Sequence, residues 1–514
     1  MIADELKGRI RQAFGFPPTM DQERAIGVFA DFLTSRSDSA VMVLRGSAGT
    51  GKTTLAAAIV RTLLALKQKI VLLAPTGRAA KVFSLYASQP AYTIHRRIYR
   101  QKSLEGGFDL NYNPASDTLF IVDEASMISH GDHSPFSILH SPFGSGSLLD
   151  DLMRFVYNGR NCRMLLIGDR AQLPPVGEEE SPALMAGVLG GYGLDVFEAD
   201  LNEVLRQSQE SGILWNATRI REGLESFAEQ SVASAERAAS LPQVRFHGFS
   251  DIQMVPGDEL IESLATSYSR AGMDDTIVVT RSNKRANIYN QGIRRTVLDR
   301  EDELCRGDRI MIVKNNYYWV PKSPKLGDDR GLNKEMSSAS SDPQPPNLGG
   351  LDFLANGDIA VVRRVRNIHG QYGFRFAEVT MSFPDYDDYE LTAIVLLDTL
   401  TTEAPALTRE QQEQLYNKVM EDYMDVPYKQ ERLKKLKEDK YYNALQVKFA
   451  YAVTCHKAQG GQWAHVYIDQ GYMTDDMLSA DYVHWLYTAL TRATEKVFLV
   501  NWPKTQVSLP PTSS

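Results

Sequence analysis

Residues 41–54 read VMVLRGSAGTGKTT, in which an apolar run breaks into a glycine-rich loop that ends in Lys52 and Thr53. The helix-forming stretch LAAAIVRTLLALK follows directly. Gly46 and Gly51 have the spacing of the pattern G-x-x-x-x-G-K-[ST], in which a phosphate-binding loop (P-loop) joins a strand to a helix. The stretch therefore predicts a nucleotide site in a strand-loop-helix unit of an α/β fold. A merely structural glycine-rich turn is the alternative.

The chemistry of phosphate binding explains these residue types. Glycines allow backbone N–H groups to curl around phosphate oxygens, and the N-terminus of the following helix adds a favourable dipole potential. Lys52 is predicted to neutralise the β- and γ-phosphates, and the hydroxyl of Thr53 is predicted to coordinate Mg²⁺. The residues predicted to contact the nucleotide are Gly46, Ser47, Ala48, Gly49, Thr50, Gly51, Lys52, Thr53 and Thr54.

Composition sets the outer limits. The 514 residues, 43% hydrophobic and 23% charged, predict a globular protein of several domains. The sequence has no apolar run long enough to span a membrane and no signal-peptide core at its start, so a cytoplasmic protein is expected. Cys162, Cys305 and Cys455 are far apart, which argues against structural zinc or a disulfide framework. With a net charge of −8, binding to nucleic acid would need a local basic groove.

Three further apolar runs follow the P-loop helix. They begin residues 69–83, 118–129 and 162–177, and each leads into a turn that carries polar residues. Continuous apolar runs that alternate with helices are typical of a parallel sheet covered on both faces. Because loops at the C-termini of parallel strands share one edge of the sheet, where ligands bind, we expect the polar residues of these turns to converge on the P-loop.

Three polar residues in these turns suit phosphate chemistry. Asp123 and Glu124 follow apolar residues 119–122. Beside a P-loop, one carboxylate suits Mg²⁺ coordination and the next suits activation of the attacking water, so we assign these roles to Asp123 and Glu124. A solvated strand end is the alternative. Gln172 is a candidate γ-phosphate sensor, because an amide can both donate to phosphate and accept from water.

The C-terminal half contains a second set of such units, at residues 275–295, 447–469 and 482–502. Two sheet domains with a cleft between them would place arginines of the second opposite the phosphates of the first. Arg206 and Arg492 are the candidates for this charge stabilisation, as arginine fingers. For either arginine, a surface ion pair is the alternative.

Eight stretches, taken together, resemble the ordered motifs of a known family. They are GSAGTGKT, APTGRAAK, TIHR, IVDEASMI, IGDRAQLPPVG, LNEVLRQ, YAVTCHKAQGGQW and YTALTRA, in the order of the superfamily 1 helicase motifs. The similarity is greatest to the RecD-like and Dda-like branch, which is related to the Pif helicases. It implies two RecA-like motor domains in which hydrolysis of ATP drives one-way, 5′-to-3′ stepping along single-stranded nucleic acid. It also places Gln22 where the adenine-reading glutamine of the family lies, with an ordinary helix-surface glutamine as the alternative.

The resemblance also assigns the contacts with the nucleic-acid strand. They fall on Pro75, Thr76, Arg78, His95, Thr454, His456, Lys457 and Gln459. Hydroxyl, imidazole and cationic groups can hold phosphates without reading sequence. For His95 and His456, a buried and hydrogen-bonded structural histidine is the alternative. Gln459 has the further implied role of coupling strand contact to the state of the nucleotide.

The intervals between the motifs predict inserts. Residues 96–117 predict a β-hairpin around a Gly-Gly turn, where the family has a small strand-separating pin. Phe108 or Tyr112 would then stack on a base at the fork, and a plain surface hairpin is the alternative. A small β-barrel is predicted within residues 301–446, where residues 317–319 form either a stacking surface or barrel core.

The barrel insert has two further predicted parts. Residues 323–350 are rich in Pro, Gly, Ser and charge and predict a mobile loop. Residues 407–446 predict a charged, projecting helical arm, either a solvated spacer or a partner-docking element.

We therefore predict an α/β protein with two RecA-like P-loop motor domains and parallel sheets, plus a β-hairpin insert and a small β-barrel insert. The first motor domain comprises residues 1–200, the second comprises 201–300 and 447–502, and 503–514 form a tail. The predicted function is that of a monomeric, Mg²⁺- and ATP-dependent DNA helicase that acts on single-stranded and forked duplex DNA. An RNA helicase, a translocase that does not unwind, and an ATP-gated nucleic-acid clamp are the alternatives.

Overall fold

The computed structural model describes residues 2–101, 108–131, 145–204, 210–229, 243–320, 353–473, 477 and 479–508. They form two compact units: Met1–Glu301 together with Ala450–Ser514, and Asp302–Phe449. In this part of the chain the helices are α1 (Ile2–Phe14), α2 (Met20–Thr34), α3 (Lys52–Ala65), α4 (Gly77–Ala87), α5 (Ile94–Ile98), α6 (Leu148–Tyr157), α7 (Ala186–Gly191), α8 (Gly212–Glu229), α9 (Leu260–Arg270), α10 (Asn283–Gly292), α11 (Arg409–Glu421), α12 (Lys429–Lys437), α13 (Cys455–Ala458) and α14 (Ala480–Leu490). The strands are β1 (Ala40–Gly46), β2 (Lys69–Ala74), β3 (Ala91–Thr93), β4 (Tyr99–Gln101), β5 (Phe108–Leu110), β6 (Thr118–Val122), β7 (Arg163–Gly168), β8 (Asp195–Leu201), β9 (Ile252–Val255), β10 (Thr276–Thr280), β11 (Arg309–Ile312), β12 (Ile359–Gln371), β13 (Phe374–Phe383), β14 (Tyr389–Leu396), β15 (Leu445–Phe449), β16 (Ala452–Thr454), β17 (Trp463–Asp469) and β18 (Ala493–Val500).

The first sheet has the strand order β3-β2-β6-β7-β1-β8, and every neighbouring pair is parallel. Its strand β1 is buried along its whole length. Alternate residues of β1 enter different cores: Met42 and Leu44 pack on one face of the sheet, and Val41 and Val43 pack on the other. Burial on both faces explains why this strand reads as a continuous apolar run.

The second sheet has the strand order β16-β10-β17-β18-β9, again with parallel neighbours. All five residues of β10 are buried, and β17 is buried except for one partly exposed position. The C-terminal ends of β10, β16 and β17 share one edge of this sheet, just as the C-terminal ends of the parallel strands share one edge of the first sheet. The prediction of two parallel α/β sheets is therefore confirmed.

The unit Asp302–Phe449 contains a closed barrel of strands β11 to β15. Its neighbouring strands are antiparallel except β14 and β15, whose parallel pairing joins Val395 to Leu445. The last strand, β15, therefore belongs to the barrel, and the chain re-enters the second sheet at Ala452. The predicted barrel insert is confirmed.

The helical arm predicted at residues 407–446 packs against the barrel. Leu415 and Val419 of α11 and Leu436 of α12 enter a buried apolar cluster with Phe376 of the barrel. The prediction that the arm projects is wrong, because its few apolar residues share one side: Leu415 and Val419 are four positions apart and so lie on one helix face.

Aromatic residues 317–319 are mostly engaged within their own unit. Tyr317 stacks on Phe353 with a centroid separation of 4.8 Å, and Nε1 of Trp319 donates to the carbonyl of Asn443 at 2.8 Å. Tyr318 is 38% exposed. Its ring packs edge-on against Trp319 with a centroid separation of 5.0 Å, and its hydroxyl donates to the carbonyl of Glu438 at 2.9 Å, so all three rings have contacts within the unit.

The hairpin predicted at residues 96–117 is present as β4 and β5, which pair antiparallel with Tyr99 opposite Leu110. Its tip, together with the loop predicted at 323–350, lies outside the described residues. Tyr112 is 64% exposed, and its predicted stacking role stays a prediction. No helix among the described residues combines the length and apolarity that crossing a bilayer requires.

Candidate nucleotide-binding site

The P-loop between β1 and α3 needs glycine at three positions. Gly49 and Gly51 have φ values of 78° and 80°, in the left-handed region that glycine adopts without strain. A Cβ atom on Gly46 would lie 2.8 Å from Cγ of Lys52 and 3.0 Å from Cβ of Leu201. The loop is therefore a tight turn in which the backbone itself forms the surface.

The start of α3 offers donors to an anion. Within the described residues its N-cap, Gly51, has no side-chain capping partner, and the first turn carries no acidic residue. The first N–H groups of a helix lack partners inside the helix, and together with the helix dipole they attract phosphate. The residues present therefore fit a phosphate group.

Lys52 lies inside this loop. Its ammonium donates to the carbonyl oxygens of Gly46 and Ser47 and lies 3.8 Å from Oδ2 of Asp169, at the end of β7. An ammonium has three rotatable N–H donors, so it can exchange these carbonyl oxygens for phosphate oxygens.

Gln22 contacts the P-loop from α2. Its side chain is buried, and Nε2 donates to the carbonyl of Thr50 at 2.9 Å. Its Oε1 accepts from the amide of Thr19, which completes a capping box at the start of the helix. The alternative of a helix-surface glutamine is therefore wrong. Its role in reading adenine stays a prediction.

Asp123 and Glu124 follow β6 at the same sheet edge. The amide of Glu124 donates to Oδ1 of Asp123 at 2.9 Å. Glu124 has φ 51° and ψ 38°, a left-handed conformation that is uncommon for a non-glycine residue and clusters at functional sites. Burial, followed by the negative charge of Glu124, raises the pKa of the Asp123 carboxyl above its ordinary value. A divalent cation would relieve this repulsion, and the oxygen atoms of Asp123 and Thr53 are ligands of the kind that Mg²⁺ prefers.

The second sheet domain contributes Arg492, which is 4% exposed. Its Nη1 lies 3.9 Å from Oε1 of Glu124. The amide of Gln172 lies between them. In the amide orientation that satisfies both of its polar atoms, its nitrogen lies 3.2 Å from Oε2 of Glu124 and its oxygen lies 3.3 Å from Nη2 of Arg492. Three residues predicted separately from the sequence are thus in contact. Arg206 lies outside the described residues.

Helix α14, which precedes Arg492, packs on the loop after β7. Nδ1 of His484 lies 3.0 Å from the carbonyl oxygen of Ala171, and Oγ1 of Thr488 accepts from the amide of Leu173 at 2.7 Å. Side chains at positions i and i+4 share one helix face, which explains why both reach the same loop.

The residues predicted to hold a strand occupy two adjoining segments. Nη2 of Arg78 donates to the carbonyl of Gln462 at 2.9 Å, and its guanidinium lies 4.2 Å from the ring centre of Trp463. A Cβ on Gly460 would lie 3.2 Å from Oγ1 of Thr76. The segment after Pro75 therefore contacts the segment that continues from Thr454.

The remaining strand candidates differ in charge and exposure. Burial lowers the pKa of His95 to about 4 and that of Lys457 to about 8. His456 is exposed, whereas Gln459 is buried and donates from Nε2 to the carbonyl of Leu173 at 2.7 Å. Gln459 thus joins the segment that is predicted to contact a nucleic-acid strand to the loop that carries Gln172.

Sequence reasoning missed several residues of this site. The hydroxyl of Tyr487 contacts Ala48 and Asp169, and Nη1 of Arg221 donates to Oγ of Ser47 at 2.7 Å. A signal for Tyr487 was available, since it lies in the same motif as Arg492, on a helix that must face the cleft. Arg221 lies outside every motif, so the sequence offered no such signal for it.

Two family models match the chain. A UvrD-like helicase C-terminal domain matches residues 449–500, and an AAA domain matches residues 31–141. The second includes the P-loop and Glu124, and the first includes Gln459 and Arg492. Each of the two sheet domains therefore contributes site residues that fall within a matched region.

Relatives with a stated activity match part of the chain. It is 34% identical over 148 residues to the ATP-dependent RecD2 DNA helicase of Deinococcus radiodurans, which is 29% of this chain and 18% of that protein. It is 26% identical over 285 residues to the ATP-dependent DNA helicase dda of Enterobacteria phage T4, covering 53% and 56% of the two chains. The chain thus spans less than two thirds of either relative.

Two longer matches cover most of the chain. An uncharacterized protein, R530 of Acanthamoeba polyphaga mimivirus, is 22% identical over 508 residues, which cover 89% of this chain and 94% of that one. Among solved structures, the Pif1 helicase from Bacteroides in complex with ADP-AlF3 and ssDNA covers 96% of this chain and 95% of its own, with 14% identity and a TM-score of 0.43.

Proposed function

We propose that this chain, a relative of the RecD2 and Dda helicases, is an ATP-dependent DNA helicase that moves 5′ to 3′ along single-stranded DNA and separates forked duplex. The resemblance to this branch of superfamily 1, predicted from the motifs, is confirmed by the family matches and by the two named relatives. Direction of movement, use of Mg²⁺ and strand separation belong to the proposal.

The contact of Glu124, Gln172 and Arg492 is the observation that carries the proposal. A carboxylate, an amide and a guanidinium meet beside the P-loop although they come from two different sheets. A clamp that only binds nucleotide needs no such set, whereas hydrolysis needs a base, a group that orients water and a positive charge for the transition state.

Each side chain has a role that its position supports. The loop amides and Lys52 hold the β- and γ-phosphates, and Glu124 accepts the proton of the attacking water. Gln172 orients that water, and Arg492 stabilises the charge that develops on the transferred phosphoryl group. Thr53 and Asp123 would hold Mg²⁺, which when bound would supply charge neutralisation on the phosphates.

Coupling to a strand is supported by Gln459 and Arg78. Gln459 links the segment that carries Thr454, His456 and Lys457 to the loop of Gln172. Arg78 links the segment of Pro75 and Thr76 to the same part of the second domain. A change in the position of Arg492 relative to Glu124 would therefore be transmitted to a nucleic-acid strand that both segments hold.

Fork unwinding with tailed substrates tests this function. DNA forks with only a 5′ tail, only a 3′ tail or an RNA tail are compared with Mg²⁺-ATP, and ATPase rates are measured with each strand. We expect unwinding from the 5′ DNA tail and ATPase activity stimulated by single-stranded DNA. Unwinding from the 3′ tail alone contradicts the direction, and strand-stimulated ATPase without unwinding identifies a translocase.

A motor-deficient variant supplies the control. The Glu124→Gln variant should still bind the forks and ATP, but it should not separate the strands of the forks. Equal strand separation by this variant would show that binding, rather than hydrolysis, melts the fork. An ATPase indifferent to every strand would contradict the motor and favour the clamp.

A further inference from the structure

Tyr487 makes two hydrogen bonds that tie the second sheet domain to the P-loop. Its side chain is completely buried on α14. The hydroxyl accepts from the backbone amide of Ala48 at 2.8 Å and donates to Oδ2 of Asp169 at 2.7 Å.

The Ala48 amide belongs to the P-loop, whose N–H groups are the donors that a phosphate would use. An amide that donates to a phenol oxygen is not available to a phosphate oxygen. The bond from Ala48 to Tyr487 and a bond from Ala48 to a nucleotide therefore exclude each other.

Asp169 extends this competition to Lys52. Its Oδ2, which accepts from Tyr487, also lies 3.8 Å from Nζ of Lys52, while Oδ1 accepts from the amide of Ala171 at 2.9 Å. The Tyr487 hydroxyl thus holds the carboxylate that attracts the P-loop lysine. The same side chain engages a loop amide and, through Asp169, the ammonium that would neutralise phosphate.

Burial keeps the Tyr487 phenol in its neutral protonation state. Burial, with the charge of Asp169 as the next cause, raises the pKa of the Tyr487 phenol well above its ordinary value. The phenol is therefore a neutral donor to Asp169 at any physiological pH, and the two hydrogen bonds are available together.

We propose that Tyr487 is a positioning residue that competes with nucleotide for the P-loop and so makes nucleotide affinity depend on how α14 docks. The proposal rests on the function proposed above, because it assumes that the P-loop binds ATP and ADP. Release of Tyr487 from Ala48 and Asp169 accompanies nucleotide binding, so a strand that shifts α14 changes the affinity for nucleotide.

The test compares Tyr487→Phe with Tyr482→Phe in the full chain. Tyr482 is a matched control on the same helix. It is also buried, and its hydroxyl donates to Oε1 of Gln470 at 2.6 Å and lies 3.1 Å from Oε1 of Gln506, so it does not contact the P-loop. Both variants lose a buried phenol oxygen and keep the ring, so both should lower the melting temperature.

Nucleotide affinity distinguishes the two. Kd for ADP is measured by fluorescence titration with a labelled ADP, and the KM and kcat of the ATPase are measured with and without single-stranded DNA. Tyr487→Phe should bind ADP more tightly by roughly three- to tenfold, the range of one hydrogen bond, and should lower KM without DNA. Tyr482→Phe should leave both unchanged. Unchanged or weaker ADP binding by a folded Tyr487→Phe overturns the proposal.

Two further measurements keep the test decisive. In an Asp169→Asn background, Tyr487→Phe should increase the affinity for ADP by a smaller factor, because one of the two hydrogen bonds of Tyr487 has already changed. If the effects of the two substitutions on ADP affinity are fully additive, Tyr487 and Asp169 do not act together. If Tyr487→Phe does not fold, the single variant Asp169→Asn decides: it should bind ADP more tightly, and unchanged or weaker binding overturns the proposal. ADP binding needs no hydrolysis, so a failure of the proposed motor function is distinguishable from a failure of this inference.

Discussion

The guanidinium of Arg492 lies 3.9 Å from the carboxylate of Glu124, with the amide of Gln172 between them. Arg492 follows helix α14 of the second sheet domain, and Glu124 lies two residues after strand β6 of the first. If the proposed function is correct, their contact makes hydrolysis sensitive to the positions of both domains. We therefore expect variants of this trio to separate nucleotide binding from turnover.

Replacement of Arg492 by lysine should slow turnover without loss of binding. A lysine keeps the charge but lacks the planar fork that reaches both Glu124 and Gln172. We expect kcat to fall by about 10³-fold, the lower end of the effect of an arginine finger, with ADP affinity unchanged. Single-turnover ATPase and ADP titration measure the two quantities. Arg295→Lys, at an exposed arginine, is the control; an equal loss in both variants would contradict the assignment.

Glu124→Gln should bind ATP yet hydrolyse it poorly. The amide keeps the size of the side chain but cannot take a proton from water, so kcat should fall by roughly 10²- to 10⁴-fold. Equilibrium binding of a non-hydrolysable ATP analogue and steady-state ATPase separate the two effects. If binding and turnover fall together, Glu124 holds the nucleotide rather than acting as the base.

Lys52→Ala should abolish hydrolysis, because positioning and neutralisation of the phosphates are lost together. Malachite-green assays of phosphate release measure the rate, and circular dichroism checks the fold. Lys69→Ala, at an exposed lysine at the start of β2, should retain the parent rate. A Lys52→Ala variant that turns over at the parent rate would refute the P-loop assignment.

Gln459→Ala should uncouple the strand from hydrolysis. It removes the Nε2 donor to the Leu173 carbonyl, which is left without that bond, but leaves Glu124 and Arg492 in place. We expect basal ATPase to persist while stimulation by single-stranded DNA is lost. Gln462→Ala is the matched control, because its side chain is exposed and its contact with Arg78 is made by the backbone carbonyl. Normal stimulation in Gln459→Ala would place the coupling elsewhere.

Affinity for single-stranded DNA should fall as the pH rises through about 8. Burial lowers the pKa of Lys457 to about 8, so its ammonium is charged below that pH and loses its proton above it. A neutral amine attracts phosphate poorly, so Kd should increase between about pH 7 and pH 9. Lys457→Arg, which stays charged, should bind with little change over this range. The pKa of His95 is lowered to about 4, so this residue contributes no charge there. A flat profile in the parent protein would remove Lys457 from the strand contacts.

Features that depend on residues close together in the sequence were easier to predict than features that depend on contacts between distant residues. The P-loop, both parallel sheets and the hairpin were predictable because each depends on local periodicity or on a short motif. The barrel was predictable from its short strands together with the family resemblance. The direction of the helices at 407–446 was not, because their packing depends on a few apolar residues, such as Leu415 and Leu436, whose partner Phe376 is distant in the chain. Charge dominated the pattern there, and burial of those few side chains decided the structure.

The phosphate loop, the acidic pair that follows β6, and Gln172 and Arg492 as cleft residues could be predicted from the amino-acid sequence. The spacing of glycines and the residue types that follow a strand are local properties, so they can be read directly from the amino-acid sequence. Three sets of contacts became known from the folded chain: Arg492 meets Glu124 through Gln172, Gln459 bonds to Leu173, and Tyr487 bonds to Ala48 and Asp169. Hydrogen bonds act over about 3 Å, and which distant groups come that close is set by the packing of α14 against the first domain.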